Sequence, residues 1–235
     1  NKPLAFLCGA SFFYLIGLFA VPAASIYYAR YILGDTGLTA PMSLVNAGIG
    51  LLVTPFIPAI INKVGKKNLF QYCGLFTVIG GVALFFSPAG AVALAMVMLA
   101  IKGVGASLIN TTMFALEADT VEYGEWKSGK RSEGATYSIF SFTRKITQSL
   151  GGAAGAWLLG WAGYVGGAAT QSESALTAIR ASIGLVPAVM AIIAMIVFWK
   201  YPLNDARFRE IRNEVEARKA KLETVVVGEG HVVTK

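Results

Sequence analysis

The residue types best able to bind a charged or polar ligand lie on one predicted helix, between positions 134 and 162. Tyr137, Ser141, Lys145 and Gln148 are spaced four, four and three apart, so they share one helical face. If this helix crosses a bilayer, Lys145 lies about 16 Å along it, close to the middle of a hydrocarbon layer of ~30 Å. A cation at that depth is kept away from lipid and is functional by default. The pattern predicts a water-filled cavity, with snorkelling to an interface as the alternative.

Two more polar residues could take part in such a cavity. Arg144 is adjacent to Lys145, and together they could meet an acidic ligand, since arginine holds a carboxylate bidentately and lysine supplies a point charge. Asn110 lies within the charge-free run 103–116. It could line the same cavity or pair with a neighbouring helix, and the sequence leaves both open.

A second group of charges flanks the loop before this helix. Asp119 and Glu122 are three positions apart, on one face at the end of a predicted helix, and Glu125 and Arg131 follow in the loop. Opposite charges there predict ion pairs that close an inner gate and break when the protein changes state. A solvated rim is the alternative, because exposed ion pairs often contribute little.

The composition indicates an all-α membrane protein. Hydrophobic residues make up 55% of the chain and charged residues 14%, about half the usual ~25%. Several charge-free runs reach the roughly 20 residues that a helix needs to cross the hydrocarbon layer. A soluble all-α core is the alternative, but its helices would show a polar stripe at helical spacing, and these runs do not.

The runs divide the chain into a membrane domain, residues 1–203, and a tail, residues 204–235. Six transmembrane helices are predicted, at about 3–32, 41–61, 69–86, 92–121, 134–162 and 177–199. The tail is predicted to be helical from Asn204 to Leu222 and disordered beyond Glu223. Lys and Arg are concentrated in the segments that face inward if both termini are cytoplasmic, which is therefore the predicted orientation.

The sequence gives no sign of an enzyme. No catalytic set and no Cys/His metal spacing are visible, and the one histidine, His231, lies in the tail. The net charge of +7 is distributed at the ends of apolar runs, which argues against nucleic acid as a partner. Gly151 and Gly155 form a GxxxG pattern, typical of close helix packing. We therefore expect no cofactor and no bound metal.

The charged segment that includes the end of the fourth predicted helix, the following loop and the start of the fifth helix resembles the signature of the glycoside–pentoside–hexuronide:cation symporter family. This family is a branch of the major facilitator superfamily. The matching residues are Ala118–Glu125 (ADTVEYGE), Gly129-x-Arg131-x-Glu133-Gly134, Tyr137-Ser138 and Lys145. Further matches are most like the glucuronide carriers of the family: Asp35-Thr36-Gly37, Gly65–Asn68, Ser138–Lys145 and Tyr201-Pro202-Leu203.

The resemblance implies that the chain is the C-terminal half of a twelve-helix transporter of the bacterial inner membrane. Lys145 matches a lysine near both the sugar and the cation site, and Ser141 a hydroxyl position one turn earlier. Asp119, Glu122 and Arg131 match charged positions of the cytoplasmic gate. An aromatic residue of the melibiose-type branch corresponds to Asn110 here, and Arg144 is uncharged in that branch. The carboxylates for the coupling cation, H⁺ or Na⁺, belong mainly to the N-terminal half and are not assigned here.

These implications lead to a functional hypothesis. We expect cation-coupled sugar uptake by alternating access, with a glucuronide-type substrate, Lys145, Arg144, Ser141, Tyr137 and Asn110 at the binding site, and membrane lipid and an N-terminal half as partners. A carrier of neutral pentosides or galactosides, and a membrane sensor or assembly protein that does not transport, are the alternatives.

Overall fold

A computed structural model describes the backbone of residues 1–230 and the side chains of residues 1–220, and within them every regular element is helical, as expected. The α-helices are α1 Lys2–Tyr28, α2 Thr39–Val53, α3 Ile57–Val64, α4 Lys66–Phe86, α5 Val92–Ser128, α6 Glu133–Trp161, α7 Glu173–Ile183, α8 Leu185–Trp199 and α9 Asp205–Gly230. His231 lies outside the described residues.

Two of the predicted continuous helices are interrupted at prolines. The helix predicted at 41–61 consists of α2 and α3, separated by a 3₁₀ turn at Thr54–Phe56 that contains Pro55. The helix predicted at 177–199 begins earlier, at Glu173, and bends by 41° between α7 and α8. Proline lacks the N–H that a helix needs, so each break lies where a backbone hydrogen bond is lost.

Lys102 stabilises the second break. Pro187 cannot donate to the carbonyl of Ile183, four residues earlier. The Lys102 Nζ, on α5, donates to that carbonyl instead, at 2.7 Å. Lys102 is 5% exposed and is therefore buried in the bundle. A buried ammonium group thus satisfies a backbone acceptor that would otherwise have no partner.

The helices pack in a connected bundle. α1 packs against α6 and α8, α4 against α5 and α8, and α2 against α5. Close approaches depend on glycine: a Cβ on Gly151 of α6 would lie 2.7 Å from the Ile16 carbonyl oxygen of α1. Gly155, one turn later, is 3.8 Å by the same measure from the Ala20 carbonyl. The predicted close packing at this GxxxG pattern is therefore observed, tightly at Gly151 and more loosely at Gly155.

Six membrane-spanning helices were expected, and the described residues contain four or five candidates. By length and composition they are Lys2–Leu33, Thr36–Val64, Lys66–Phe86 and Val92–Ser128, with α7 and α8 together as a fifth if they form one bent span. α6 has the length of a span, but its polar and charged residues exclude it on composition. The helix that carries the predicted site is thus the one that is too polar to lie alone in lipid.

The tail helix α9 packs against the inner end of α5. Ile211 and Val215, about one helical turn apart on the same face, are 1% and 6% exposed. The Trp126 Nε1 donates to Glu214 at 2.6 Å, which joins α5 to α9. The helix extends to Gly230, beyond the end predicted at Leu222, and residues 231–235 lie outside the described chain. Helix propagation adds a backbone bond with each residue, and no proline interrupts it here.

Candidate functional site

The predicted polar face of α6 is exposed. Tyr137, Ser141 and Lys145, with Ser138 and Phe142, line a depression of about 370 Å³. Gln148 is exposed one turn further along but does not line it. Within the described residues, no hydrogen bond or ion pair engages the Lys145 ammonium group. Lys145 is therefore available to a ligand or to a second protein surface.

The packing of α6 explains why this face is free. A different side of the helix is buried through Phe140, Thr147 and Gly151. Gly151 on that side lies against Ile16 and Phe19 of α1. Thr147 satisfies its hydroxyl within the helix, donating to the Thr143 carbonyl at 3.0 Å. Because small and apolar residues hold α6 against α1, its hydroxyl and amino groups are left on the side away from the bundle.

Arg144 does not join Lys145 in the depression. Its Nη1 donates to the Asn110 Oδ1 at 3.1 Å, which brings two of the predicted binding residues together across α5 and α6. Its guanidinium carbon lies 4.8 Å from the ring centroid of Phe114 and 6.0 Å from that of Phe140. Phe114 is 49% exposed, so this cluster reaches the surface beside the depression. Arg144 and Lys145 thus occupy neighbouring faces of α6.

Sequence reasoning missed Phe114 and Glu117 as members of this cluster. Glu117 is 2% exposed, interacts electrostatically with Arg144, and has an Oε1 atom without a hydrogen-bond partner among the described residues. Asn110, Phe114 and Glu117 are spaced four and three apart, so they share one face of α5. That spacing, read together with Arg144, was the signal that could have identified them.

The end of the bundle that was predicted to face inward holds three of the four predicted gate residues in ion pairs, Asp119, Glu125 and Arg131. With Lys66, Glu122 and Lys219 they are called the inner-mouth cluster here. The Lys66 Nζ of α4 lies 2.6 Å from the Asp119 carboxylate, with side chains 19% and 9% exposed. Glu125 pairs with two cations, Arg131 at 2.8 Å and Lys219 of α9 at 2.8 Å. Asp119 and Glu125 are largely buried, so these carboxylates do not form a simple solvated rim.

In the inner-mouth cluster, helix α5 ends later than predicted. α5 continues to Ser128, so Glu125 is helical rather than in a loop, and Gly129 ends the helix with φ 71°. Arg131, in the short loop, hydrogen-bonds to Glu125 and Glu133, and these bonds raise its pKa above the usual arginine value. Glu122 forms no ion pair within the described chain, and its buried Oε2 has no partner there.

No metal-binding group is found in the part of the chain that the structure describes. Within it, no set of three or more His, Cys, Asp or Glu side chains is arranged to hold an ion. Cys8 and Cys73 are free thiols. The two sites available are therefore the α6 face with its Arg144 neighbour, and the inner-mouth cluster.

Comparison with known proteins gives the family. Residues 1–205 match the family model described as MFS/sugar transport protein. A glucuronide carrier protein homolog of Escherichia coli strain K12 is 42% identical over 220 residues, which cover 93% of this chain and 48% of that protein.

Other relatives match over a similar share. A candidate 2,3-dihydroxypropane-1-sulfonate exporter of Escherichia coli strain K12 is 35% identical over 221 residues, 93% of this chain and 47% of its own length. An uncharacterized symporter of Bacillus subtilis strain 168 is 34% identical over 219 residues, again 93% and 47%. The chain spans about half the length of the curated relatives it matches. Its match over residues 1–205 means that the chain belongs to the MFS/sugar transport protein family, a family of membrane transporters and not of enzymes.

Proposed function

We propose that the chain forms one half of a cation-coupled symporter that takes up acidic glycosides, hexuronides foremost, by alternating access. The observation that carries the proposal is the Lys145 ammonium group, which has no partner among the described residues and lies in a depression lined by hydroxyl groups, with the guanidinium of Arg144 on the adjacent face. Two cations beside an aromatic ring and several hydroxyls suit a sugar that carries a carboxylate.

The names of the relatives support an acidic substrate. One is named for glucuronides, which carry a carboxylate, and another for a sulfonate. A third is named a symporter. These names describe those proteins, and for this chain they support a substrate class rather than one sugar. H⁺ or Na⁺ is the coupling cation in this proposal.

Each site residue has a role in the proposed carrier. Lys145 meets the sugar acid, and Ser141 and Tyr137 accept or donate hydrogen bonds to its hydroxyls. Arg144, held by Asn110, supplies a second cation at the edge of the site. Because a polar helix is costly to expose to lipid, we propose that six membrane crossings form only with a second six-helix half, supplied by the same chain or another. The binding site then lies between the halves.

The inner-mouth cluster is proposed as the cytoplasmic gate. Asp119, Glu125 and Arg131 form pairs that tie α4, α5, the loop and α9 of this half to one another. Glu122 has a buried oxygen without a partner in the described chain, so it is the member best suited to meet a cation of the other half. In the proposed orientation both ends of this segment are cytoplasmic, in a bacterial inner membrane.

The test is uptake of radiolabelled glucuronide and of a neutral glycoside into membrane vesicles that contain the full-length carrier, with and without Arg144→Ala. A hydrogen bond to a charged group contributes about 1.5–3 kcal/mol, so we expect glucuronide uptake to fall roughly 10- to 100-fold. Neutral glycoside uptake should change much less. Arg212→Ala, on the exposed face of α9, serves as the control.

The other outcomes discriminate between functions. A carrier that moves neutral glycosides as well after Arg144→Ala as before, and hexuronides no worse, would contradict the acidic substrate. Uptake of neutral pentosides or galactosides alone would assign the neutral substrate class. No uptake of any sugar, with binding retained, would indicate a sensor rather than a transporter.

A further inference from the structure

Glu117 is a buried carboxylate that has no role in the binding site proposed above. Its side chain is 2% exposed, and its Oε1 lacks a hydrogen-bond partner among the described residues. An ionised carboxylate is expensive to bury unless it is paired and hydrogen-bonded. A group in this position is therefore either neutralised by a nearby cation or protonated.

The surroundings of Glu117 supply one cation. Arg144 of α6 interacts electrostatically with Glu117, and so does the Cys8 thiol of α1. On α5 itself, the neighbouring Thr120 hydroxyl donates to the backbone carbonyl of Glu117 at 2.7 Å and leaves the carboxylate free. Among the described residues, Arg144 is thus the positive charge that faces this carboxylate.

Arg144 is also held in a way that leaves part of its guanidinium free. One nitrogen, Nη1, donates to Asn110, and the group lies against Phe114 and Phe140. No ion pair within 4.0 Å joins Arg144 to Glu117 in the described part of the chain. A permanent structural pair would be expected to close that distance with two parallel hydrogen bonds. The guanidinium is instead positioned where Glu117 or a ligand carboxylate could be its partner.

We propose that Glu117 is a proton-binding group, in addition to any in the N-terminal half, that couples H⁺ to the acidic glycoside. The inference rests on the proposed function and names its coupling ion and the residue that carries it. With the site empty, ionised Glu117 balances the charge of Arg144. When the carboxylate of the sugar meets Lys145 and also pairs with Arg144, Glu117 binds one proton at Oε1, so that two carboxylates never compete for the Arg144 guanidinium.

The charges balance over the cycle. The empty site holds two cations, Lys145 and Arg144, and one carboxylate, and the loaded site holds the same two cations, the sugar carboxylate and a neutral Glu117. One proton therefore enters with each acidic sugar, and the net charge of the site is the same in both states. A neutral glycoside brings no carboxylate and requires no proton on Glu117.

The direct test measures proton uptake on binding. Phenyl glucuronide is added to the purified full-length carrier in weakly buffered detergent, and the pH change is recorded with an indicator dye. We expect about one proton per glucuronide bound, and none with the neutral phenyl glucoside. Glu117→Gln, which resembles the protonated state, should bind glucuronide without taking up a proton. Glu216→Gln, on the exposed face of α9, should behave as the unmodified carrier does.

A second measurement needs no variant at Glu117. Since the loaded site holds one more proton than the empty site, glucuronide affinity should weaken as pH rises, by up to about tenfold per pH unit. An affinity that stays constant from about pH 5 to about pH 9 would overturn the proposal even if Glu117→Gln does not fold. Proton uptake that Glu117→Gln leaves unchanged would also overturn it.

The two proposals fail in different ways. If the unmodified carrier binds no acidic glycoside, the proposed function fails and this inference fails with it. If the carrier binds glucuronide without proton uptake, or if Na⁺ rather than H⁺ drives its accumulation, the proposed function stands and the role of Glu117 is wrong. In vesicles, the proposal predicts that Glu117→Gln exchanges glucuronide across the membrane but does not accumulate it.

Discussion

The inner-mouth cluster and the α6 face both contain charged residues, but they differ in whether those residues have ion-pair partners within this chain. At the inner mouth, Asp119 and Glu125 have cationic partners at 2.6 and 2.8 Å within this chain. On α6, Lys145 has no such partner in the described residues and lies in an open depression. The paired charges hold α4, α5 and α9 together, whereas the unpaired one requires a partner from elsewhere.

This difference separates structural from functional charge. A charge that is satisfied by its own half can stabilise that half without the rest of the transporter. A charge near the middle of a polar helix, left without a partner, is costly unless a ligand, water or a second half supplies one. We therefore expect variants at the inner mouth to affect stability first and variants on α6 to affect transport first.

The largest loss of stability is expected for Asp119→Ala. Removing this carboxylate leaves the Lys66 ammonium group, 19% exposed, without its partner. Loss of one member of a largely buried pair should lower the free energy of unfolding by about 3 kcal/mol. Thermal unfolding of the purified carrier in detergent would measure the change. The double variant Asp119→Asn, Lys66→Met should recover part of it, and an unaltered unfolding temperature in Asp119→Ala would show that the pair is not structural.

Lys145→Ala should give the opposite result. Because the ammonium group has no partner in the described chain, its removal should leave the unfolding temperature nearly unchanged. Glucuronide uptake into vesicles should fall roughly 10- to 100-fold, the effect of losing one charged hydrogen bond of about 1.5–3 kcal/mol to the substrate. Normal uptake together with lowered stability would make Lys145 a structural charge and remove the distinction.

The packing interface between α1 and α6 holds the α6 face in position. In Gly151→Ala, the added Cβ would lie 2.7 Å from both the Ile16 carbonyl oxygen and the Phe19 Cβ. Since a backbone atom cannot easily move aside, the free energy of unfolding should fall by about 1–3 kcal/mol. Gly152→Ala is the matched control, because no atom lies within 4 Å of its added Cβ. Equal unfolding temperatures for the two variants would contradict the close packing of Gly151 against α1.

The smallest effect is expected at Lys219→Ala. Lys219 is 49% exposed, and Glu125 keeps its second partner, Arg131, when Lys219 is removed. An exposed ion pair contributes about 0.2–1 kcal/mol, so the unfolding temperature should fall only slightly. A loss as large as that of Asp119→Ala would mean that α9 is essential to the inner-mouth cluster.

The sequence predicted the positions of the helices better than their breaks. Charge-free runs locate α1, α4 and α5 well, because burial in lipid selects apolar residues along the whole helix. The ends and breaks depend on contacts that a run does not encode. Lys102 satisfies the carbonyl that Pro187 leaves free, and the inner part of α5 continues to Ser128 because α9 and the loop pair with it.

The candidate site was predicted in part, for a similar reason. Helical spacing placed Tyr137, Ser141 and Lys145 on one face, and that face is exposed. The partners of Arg144 come from α5, and one sequence gives no rule for which residues of two helices meet. Asn110 was named, but Phe114 and Glu117 were found only when α5 and α6 were seen side by side.

The central claim is that the exposed face of α6 is accessible to water and binds the substrate. Its most direct test is Ser141→Cys in a cysteine-free full-length carrier, labelled in vesicles with a membrane-impermeant maleimide. Ile192→Cys, on the apolar exposed side of α8, serves as the control. We predict that the maleimide labels position 141 and not position 192, and that glucuronide protects position 141. If position 141 stays unlabelled while it accepts a lipid-soluble maleimide, this face lies in lipid and the claim is wrong.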